Sequence, residues 1–191
     1  NYLLASYGVG IFPPGRALLL GDFDAFIDTV RNYLRAHVAM YEAIKEADRI
    51  DADGDGVAAQ VGFTLNTIEW RPSRENQVSD RPEDIAAAQR ITYAYHHLFV
   101  DALVHGGFDA DLDQAREESH PDWQGRIDWL GVQYYSRNGV SAEPPLIPVL
   151  ELMPCFGDFD LGSCVAPEDP THWVPAMRYE YYAPGLYNVF A

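Results

Sequence analysis

The sequence has few basic residues and almost no lysine. Its 13 Lys and Arg residues include a single lysine, Lys45, and they stand against 29 Asp and Glu residues, which gives a net charge of −16. Binding to nucleic-acid phosphates needs clustered Lys and Arg side chains, and the sequence has no such cluster. The composition therefore argues against nucleic acid as a partner.

Long apolar runs are also missing. No stretch approaches the roughly 20 apolar residues that cross a bilayer, so we expect no membrane span. Residues 1–10 carry no basic n-region, and we expect them not to be a signal peptide. Hydrophobic residues nevertheless make up 48% of the 191 residues and charged residues 22%, which is typical of a globular chain about the size of one domain.

Several common catalytic motifs are absent as well. The sequence contains no Walker A motif, no Gly-x-Ser-x-Gly elbow and no His-Glu-x-x-His pair. It therefore gives no support to a P-loop nucleotidase, a serine hydrolase of the elbow type or a zinc protease.

Cysteine is rare, and the two cysteines leave two interpretations open. Cys155 and Cys164 lie nine residues apart in a segment rich in Pro, Gly and Asp. One disulfide and two free thiols both fit this spacing, whereas a zinc site needs four ligands and is not indicated. A disulfide would imply an oxidising compartment, so the cysteine pair favours a location of the protein outside the cytoplasm.

An acidic segment matches the first half of an EF-hand calcium loop. Asp51, Asp53 and Asp55 alternate, and Gly56 follows where such a loop turns sharply. The twelfth position, which should be Glu, is Gly62, and the following segment has the pattern of a strand. The segment is thus interpreted either as a structural calcium site or as an acidic surface turn.

Hydrophobic spacing predicts two long helices and two buried strands. Apolar residues at helical spacing predict helices over 24–48 and 83–105, and short apolar runs predict strands over 58–65 and 127–135. Helix, strand, helix, strand is the order of a parallel α/β fold. We therefore expect the two strands to lie side by side and parallel, joined by the second helix.

The remaining segments are predicted to be mostly loops. We expect a polar loop over 71–82, in which Asp80 is the N-cap of the next helix. We also expect a mostly irregular segment over 136–170. A shorter polar helix is predicted over 111–119. In that helix, the simplest interpretation of Glu117 and Glu118 is a solvated face.

Two parallel strands do not make an independent sheet with a core on both faces. The sequence is therefore interpreted as the middle of a larger α/β fold, one domain over 1–191 that is incomplete at both ends.

Six segments, in order, carry a resemblance to a known family. They cover nearly the whole chain, and the fourth of them has two parts. They are the following: Tyr7-Gly-Val-Gly-Ile-Phe-Pro-Pro-Gly15, Asn32-Tyr-Leu-Arg-Ala-His37, Val61-Gly-Phe-Thr-Leu-Asn66, Pro82-Glu-Asp-Ile-Ala-Ala87 with Phe99-Val-Asp-Ala-Leu-Val-His-Gly-Gly-Phe108, Asp128-Trp-Leu-Gly-Val-Gln-Tyr-Tyr-Ser136 and Tyr179-Glu-Tyr-Tyr-Ala-Pro-Gly-Leu-Tyr187. Together they resemble glycoside hydrolase family 1, the β-glucosidase-like retaining glycosidases.

The resemblance implies a partial (β/α)8 barrel that runs from after the fourth strand to before the seventh. In the family, two glutamates cleave β-linked sugars, one in an Asn-Glu-Pro motif and one in a Glu-Asn-Gly motif. Neither motif occurs in this sequence. The resemblance therefore implies that both catalytic carboxylates lie outside this chain, in missing barrel segments of the same protein.

The resemblance also assigns supporting residues. Tyr135 matches the tyrosine that hydrogen-bonds the nucleophile, and Gln133 stands where the family usually has Asn. Asn1, Asn66, Glu69 and Trp70 match or adjoin positions that line the sugar or aglycone side. The alternative for these residues is barrel packing.

Two functions from different classes remain in view at this point. The first is part of a β-glycosidase that acts on a β-linked sugar or glycoside, with no cofactor apart from the calcium suggested above. The second is a catalytically inactive barrel remnant or a calcium-stabilised carbohydrate-binding module. Location is left open, because members of the family are often cytoplasmic.

Overall fold

A computed structural model describes residues 3–155, 160–166, 170–174, 176 and 179–190. The chain forms two compact units. The first unit comprises Asn1–Leu65 and His96–Val132, and the second comprises Asn66–Tyr95 and Gln133–Ala191.

The first unit is built around a long amphipathic helix, α1 (Phe23–Ala47), which confirms the first predicted helix. The Asp22 carboxylate caps its start by accepting a hydrogen bond from the Ala25 N–H. The helix buries one side, formed by Phe26, Ile27, Val30, Leu34 and His37. A π-helical turn (Leu4–Gly8) and a 3-10 turn (Leu18–Leu20) precede it. None of the described helices combines the length and apolar character needed to cross a membrane.

A four-stranded sheet contains both predicted buried strands. Its order is β2 (Gln77–Val78), β1 (Gly62–Arg74), β5 (Trp129–Ser141) and β6 (Met153–Pro154). Strands β1 and β5 are neighbours, as the sequence predicted.

The contacts between β1 and β5 advance in the same direction along both strands, so the two strands are parallel. These contacts join Val61 to Asp128 and Thr64 to Gly131 in the first unit, and Thr67 to Gln133 and Ser73 to Gly139 in the second.

Asp128 fixes the starts of the two parallel strands in the first unit. Its carboxylate accepts hydrogen bonds from the Val61 N–H at 2.8 Å and the Tyr41 hydroxyl at 3.0 Å, and it pairs with the Lys45 ammonium at 2.6 Å. Burial raises the pKa of the Asp128 carboxyl, but the Lys45 and Val61 hydrogen bonds outweigh burial and hold it below its usual value. A charged Asp128 thus ties α1 to both strands.

The strands are longer than the sequence predicted. Strand β1 continues past Leu65 to Arg74 and turns back into β2, where a polar loop was expected. The two residues between them, Glu75 and Asn76, both have positive φ, as a two-residue hairpin turn requires. The expected loop over 71–82 was wrong because this turn uses Glu-Asn in place of the usual Asn-Gly signal.

The crossover between the strands is helical, as predicted, but it is not a single α-helix. It consists of α2 (Pro82–Thr92), a π-helical turn (Tyr93–His97) and α3 (Leu98–His105). Pro82 occupies the first turn, and the N-cap is Arg81 and not the predicted Asp80. Gly106, with φ of 70°, ends the helix in the left-handed conformation.

The predicted short helix over 111–119 is not formed. Asp109 accepts hydrogen bonds from the N–H groups of Leu112 and Gln114, at 2.6 and 2.7 Å, and both of those residues have positive φ. Asp side chains that capture nearby N–H groups in this way compete with helix formation.

The segment instead ends in β4 (Glu118–Ser119), which pairs antiparallel with β3 (Gly107–Phe108). Glu118 pairs with Arg31 of α1 and with His120, so it is not part of a solvated helix face.

The second unit packs α2 against the segment that follows β5. The Arg90 guanidinium of α2 donates to the Leu150 carbonyl at 2.6 Å, and buried apolar side chains fill the space between, namely Ala87, Ile91, Ile147, Leu150 and Leu152. Cys155 and Cys164 form a disulfide with a Cα–Cα distance of 5.0 Å, which selects one of the two interpretations left open. The unit ends with β7 (Trp173–Val174), β8 (Tyr179–Glu180) and the short helix α4 (Pro184–Asn188).

A buried carboxylate organises the β1–β2 hairpin and the start of α2. Asp84 is fully buried and accepts hydrogen bonds from the Arg74 guanidinium at 2.7 and 2.9 Å, the Ser79 hydroxyl at 2.6 Å and the Ala142 N–H at 2.9 Å. Burial raises the pKa of this carboxyl, but the hydrogen bonds outweigh burial and lower the pKa to about 2.

This pKa gives a testable pH dependence. Because the folded-state pKa lies below the ordinary value of 3.8, Asp84 stabilises the fold above that pH, and this stability is lost as the pH falls towards 2. The loss amounts to about 2 kcal/mol. We expect Asp84→Asn to lower the free energy of unfolding near neutral pH and to flatten its fall below pH 4.

The measurement is urea unfolding as a function of pH, in whichever form of the protein unfolds cooperatively. Asp28→Asn is the matched control, because Asp28 is an exposed carboxylate paired with Arg31. Equal pH profiles for the Asp84 variant and the unmodified protein would contradict the assignment.

Candidate functional site

The predicted sugar-site residues lie on the two parallel strands of the second unit. Strand β1 carries Asn66, Glu69 and Trp70, and β5 carries Gln133 and Tyr135. The first three were predicted to follow the end of a strand, but they lie within β1, because β1 continues to Arg74. Asn1, also predicted to line the site, lies outside the described residues.

Asn66 and Trp70 both contact Tyr95, which lies in the π-helical turn between α2 and α3. The Tyr95 hydroxyl donates to Asn66 Oδ1 at 2.8 Å, and its ring meets the Trp70 ring edge-on at 5.6 Å. Asn66 and Tyr95 are both buried, and burial raises the pKa of the Tyr95 phenol above its ordinary value. These contacts hold Asn66 and Trp70 in the packing of β1 against the helix.

Glu69 is a buried carboxylate, and only one of its two oxygens has a hydrogen-bond partner among the described residues. Its Oε1 accepts a hydrogen bond from Asn188 Nδ2 of α4 at 2.9 Å and pairs with the Arg71 guanidinium. Its Oε2 is buried and has no hydrogen-bond partner among the described residues. Glu69 therefore anchors α4 to β1 while it keeps one acceptor open.

The Tyr134 hydroxyl lies close to the same carboxylate and is likewise buried without a hydrogen-bond partner among the described residues. Both oxygens lie against Gly185, where a Cβ would stand 1.8 Å from the hydroxyl and 2.7 Å from Glu69 Oε2. Any larger residue at that position would have to displace the Tyr134 ring or the Glu69 carboxylate. Burial, with the charge of Glu69 as a smaller cause, raises the pKa of the Tyr134 phenol.

Gln133 and Tyr135 present exposed side chains on β5. Tyr135 is 43% exposed despite its position in the middle of a strand. An exposed aromatic ring on a parallel strand is unusual, because such strands are normally covered on both faces.

The structure adds residues that the sequence analysis missed. Arg137 and Glu180 form a buried ion pair, with Arg137 Nε donating to Glu180 Oε2 at 2.6 Å. The sequence spacing could have pointed to Arg137, because it lies two residues beyond Tyr135 and side chains at that spacing share one face of a strand. Nothing in the sequence pointed to Glu180 as its partner, 43 residues away.

Two groups of carboxylates in the first unit are close enough to hold a cation. In each group, one possible ligand atom per residue lies within 4.8 Å of the others. The groups are Asp51, Asp53 and Asp55, and Asp109, Asp111, Asp113 and Glu117. The second group was missed, although it repeats the alternating Asp pattern of the first.

The Asp51 group is fully exposed, and its oxygens already bond to their own loop. Asp51 accepts hydrogen bonds from the N–H groups of Gly54 and Gly56, at 2.7 and 2.9 Å. These backbone hydrogen bonds lower the pKa of the Asp51 carboxyl. The arrangement suits either of the two interpretations of this segment.

The calcium expectation is testable. Because Gly62 replaces the twelfth-position Glu and the ligands are exposed, we expect weak binding, with half-saturation at about 1 mM calcium or above. The measurement is isothermal titration with calcium. We expect Asp53→Asn to weaken the binding and Asp22→Asn, in a helix cap, to leave it unchanged. If no heat of binding is detected up to about 10 mM calcium, the calcium site is excluded and the segment is an acidic surface turn.

The Tyr95–Asn66 hydrogen bond gives a second prediction for this site. Tyr95→Phe removes the donor to a buried oxygen, and we expect the free energy of unfolding to fall by about 1–3 kcal/mol. The measurement is denaturant unfolding with Tyr33→Phe as the control, because the half-exposed Tyr33 ring keeps its edge contact with Phe99 in that variant. Equal effects of the two variants would show that the buried hydrogen bond contributes nothing.

Comparison with known proteins places the site in a family context. The family model described as glycosyl hydrolase family 1 matches residues 1–151. A β-galactosidase from Pyrococcus woesei is 28% identical over 181 residues, which are 93% of this chain and 34% of that protein. A 1,4-β-D-glucan glucohydrolase from Thermotoga neapolitana is 28% identical over 145 residues, covering 71% of this chain and 30% of that protein.

Solved structures show the same fold. A β-glycosidase from Pyrococcus horikoshii aligns with a TM-score of 0.69 and 19% identity, over 98% of this chain and 36% of that one. A family 1 β-glucosidase from Thermotoga maritima aligns with a TM-score of 0.66 and 22% identity, over 98% and 37%. The fold is thus part of an α/β barrel, and the chain spans about a third of the length of the proteins it matches.

Proposed function

Because the chain belongs to glycosyl hydrolase family 1, we propose that it is part of a β-glycosidase that hydrolyses O-glycosidic bonds with retention of configuration. The observation that carries the proposal is the family match over residues 1–151, which includes both parallel strands and their helical crossover. The relatives named above are a β-galactosidase and a glucan glucohydrolase, so a gluco- or galacto-configured β-glycoside is the proposed substrate class.

In this proposal the chain forms the barrel from after the fourth strand to before the seventh. Strands β1 and β5 would then be the fifth and sixth barrel strands, and their neighbours would come from the missing barrel segments. Exposed Trp129 and Tyr135 on β5 support this placement, because a closed barrel covers such side chains.

The two catalytic glutamates are proposed to lie outside this chain. The sequence has neither an Asn-Glu-Pro nor a Glu-Asn-Gly motif, and its nearest approach to the second is Glu75-Asn76-Gln77. Glu75 and Asn76 form the exposed turn between β1 and β2, so Glu75 is unsuited to the role of a buried nucleophile. The best-placed buried acid in the second unit, Glu69, is ion-paired with Arg71.

The chain's own residues are proposed to support the chemistry. The Tyr135 phenol would donate to the nucleophile carboxylate, hold it in place and favour its charged form. Gln133 on the same strand would contact the sugar or aglycone. Glu69 Oε2 is a buried acceptor without a described partner, and it would accept a hydrogen bond from a substrate hydroxyl. Asn66 and Trp70 contribute mainly by shaping the strand on which Glu69 lies.

The most direct test is to read the coding sequence on either side of this segment and to measure the intact mass of the native protein. An Asn-Glu-Pro motif upstream and a Glu-Asn-Gly motif downstream would support the proposal. A native protein with neither motif would contradict it and would favour the non-catalytic carbohydrate-binding alternative.

Activity measurements give a quantitative prediction. We expect the 191-residue chain alone not to release nitrophenol from aryl β-glucosides or β-galactosides above the buffer rate, because retaining hydrolysis needs both carboxylates. The same chain within a complete barrel should hydrolyse at least one of the two substrates. Turnover by the chain alone that Glu69→Gln abolishes would show that a catalytic acid lies within it.

A further inference from the structure

The Arg137–Glu180 ion pair joins strand β5 to the last described part of the second unit. Arg137 Nε donates to Glu180 Oε2 at 2.6 Å and Nη2 donates to Glu180 Oε1 at 3.2 Å, so the pair is bidentate. Its side chains are only 4% and 7% exposed. Glu180 belongs to β8, so the ion pair holds β8 against β5.

Further contacts fix the Arg137 guanidinium in one position. Its Nη2 also donates to the Ala166 carbonyl at 3.1 Å, and its plane lies over the Tyr182 ring at 4.2 Å from the ring centroid. Arginine suits this role because its planar fork forms parallel hydrogen bonds and stacks on aromatic rings at the same time. Lysine offers a single flexible ammonium in its place.

Arg137 lies two residues beyond Tyr135 on the same strand. Side chains at i and i+2 of a strand point to the same face, about 7 Å apart along the strand. By this alternation the fixed guanidinium lies on the face of β5 that also carries Tyr135. A buried ion pair contributes little net stability once desolvation is counted, so its value here lies in the geometry and charge that it sets.

The charges of Arg137 and Glu180 affect the pKa of the Tyr134 phenol. Burial is the largest cause that raises the pKa of Tyr134. Arg137 lowers this pKa and Glu180 raises it, so the two effects oppose each other. Among the described residues, the other ionisable groups near the pair are Tyr182, Tyr134 and Glu69, and Glu69 is itself paired with Arg71. An intact pair thus places two opposite charges near Tyr134, the residue before Tyr135, and their effects on that phenol oppose each other.

We propose that Arg137 is a positioning residue for Tyr135, and that Glu180 neutralises its charge so that the face of β5 around Tyr135 carries no net field. The inference rests on the proposed glycosidase function, because it assumes that Tyr135 acts on the nucleophile. Arg137 holds β5 and β8 together beside Tyr135. Glu180 keeps the guanidinium from shifting the ionisation of the nucleophile carboxylate.

The test uses the protein with its complete barrel and measures pH profiles of kcat/KM on an aryl β-glycoside. Glu180→Gln leaves Arg137 positively charged, so we expect the acid limb to move to lower pH. Arg137→Met leaves Glu180 negatively charged, so we expect the acid limb to move to higher pH. Both variants should lower kcat about tenfold with little change in KM.

The controls separate positioning from simple stability. Arg137→Lys should recover part of kcat, and the double variant Arg137→Met/Glu180→Gln should return the acid limb to its original position while kcat stays low. Arg74→Met removes a different ion pair of the second unit, that with Asp84, and should leave the acid limb unshifted. The double variant leaves neither partner of the Arg137–Glu180 pair buried and unpaired, so it keeps the test informative where a single variant fails to fold.

The outcomes distinguish this inference from the proposed function. An unmodified complete barrel without activity contradicts the proposed function itself. An active barrel in which the single variants lower only the thermal stability, or shift the acid limb in the same direction, overturns the inference and leaves the function standing.

Discussion

The parallel pairing of β1 with β5 is the constraint on which the rest of the structure depends. Parallel strands cannot be joined by a tight turn, so the chain between them must form a crossover, and here that crossover contains α2 and α3. Asp128 sets the start of both strands through Val61, Tyr41 and Lys45. The hairpin at the far end of β1 is set by Asp84 and Arg74.

The same pairing arranges the candidate site. Side chains on β1 and β5 come together in the second unit because the two strands run in register, and they differ in what covers them. Asn66 and Trp70 pack against Tyr95, whereas Tyr135 and Gln133 remain exposed. The same strand carries Arg137, which is held from three directions by Glu180, Tyr182 and Ala166. Rigid support beside an exposed side chain is what a functional position requires.

Hydrophobic periodicity was enough to predict α1, the crossover helix and the parallel pair, because burial of one face dominates those elements. It failed where local polar contacts decide the backbone. The hairpin at Glu75-Asn76 lacks the usual glycine, and Asp109 diverts the segment predicted as a helix by binding the N–H groups of Leu112 and Gln114. Tyr135 and Gln133 came from family resemblance. Glu180 was out of reach because its contact with Arg137 spans 43 residues.

The central claim is the proposal that this chain supplies two strands of a barrel whose neighbouring strands come from elsewhere in the protein. Amide hydrogen exchange on β1 and β5 tests it most directly, because unpaired strand edges open easily. The account predicts rapid exchange in the isolated 191-residue chain and strong protection once the complementary barrel segments are added. Slow exchange across both strands in a monodisperse monomer of the isolated chain, with a sharp two-state urea transition, would contradict it.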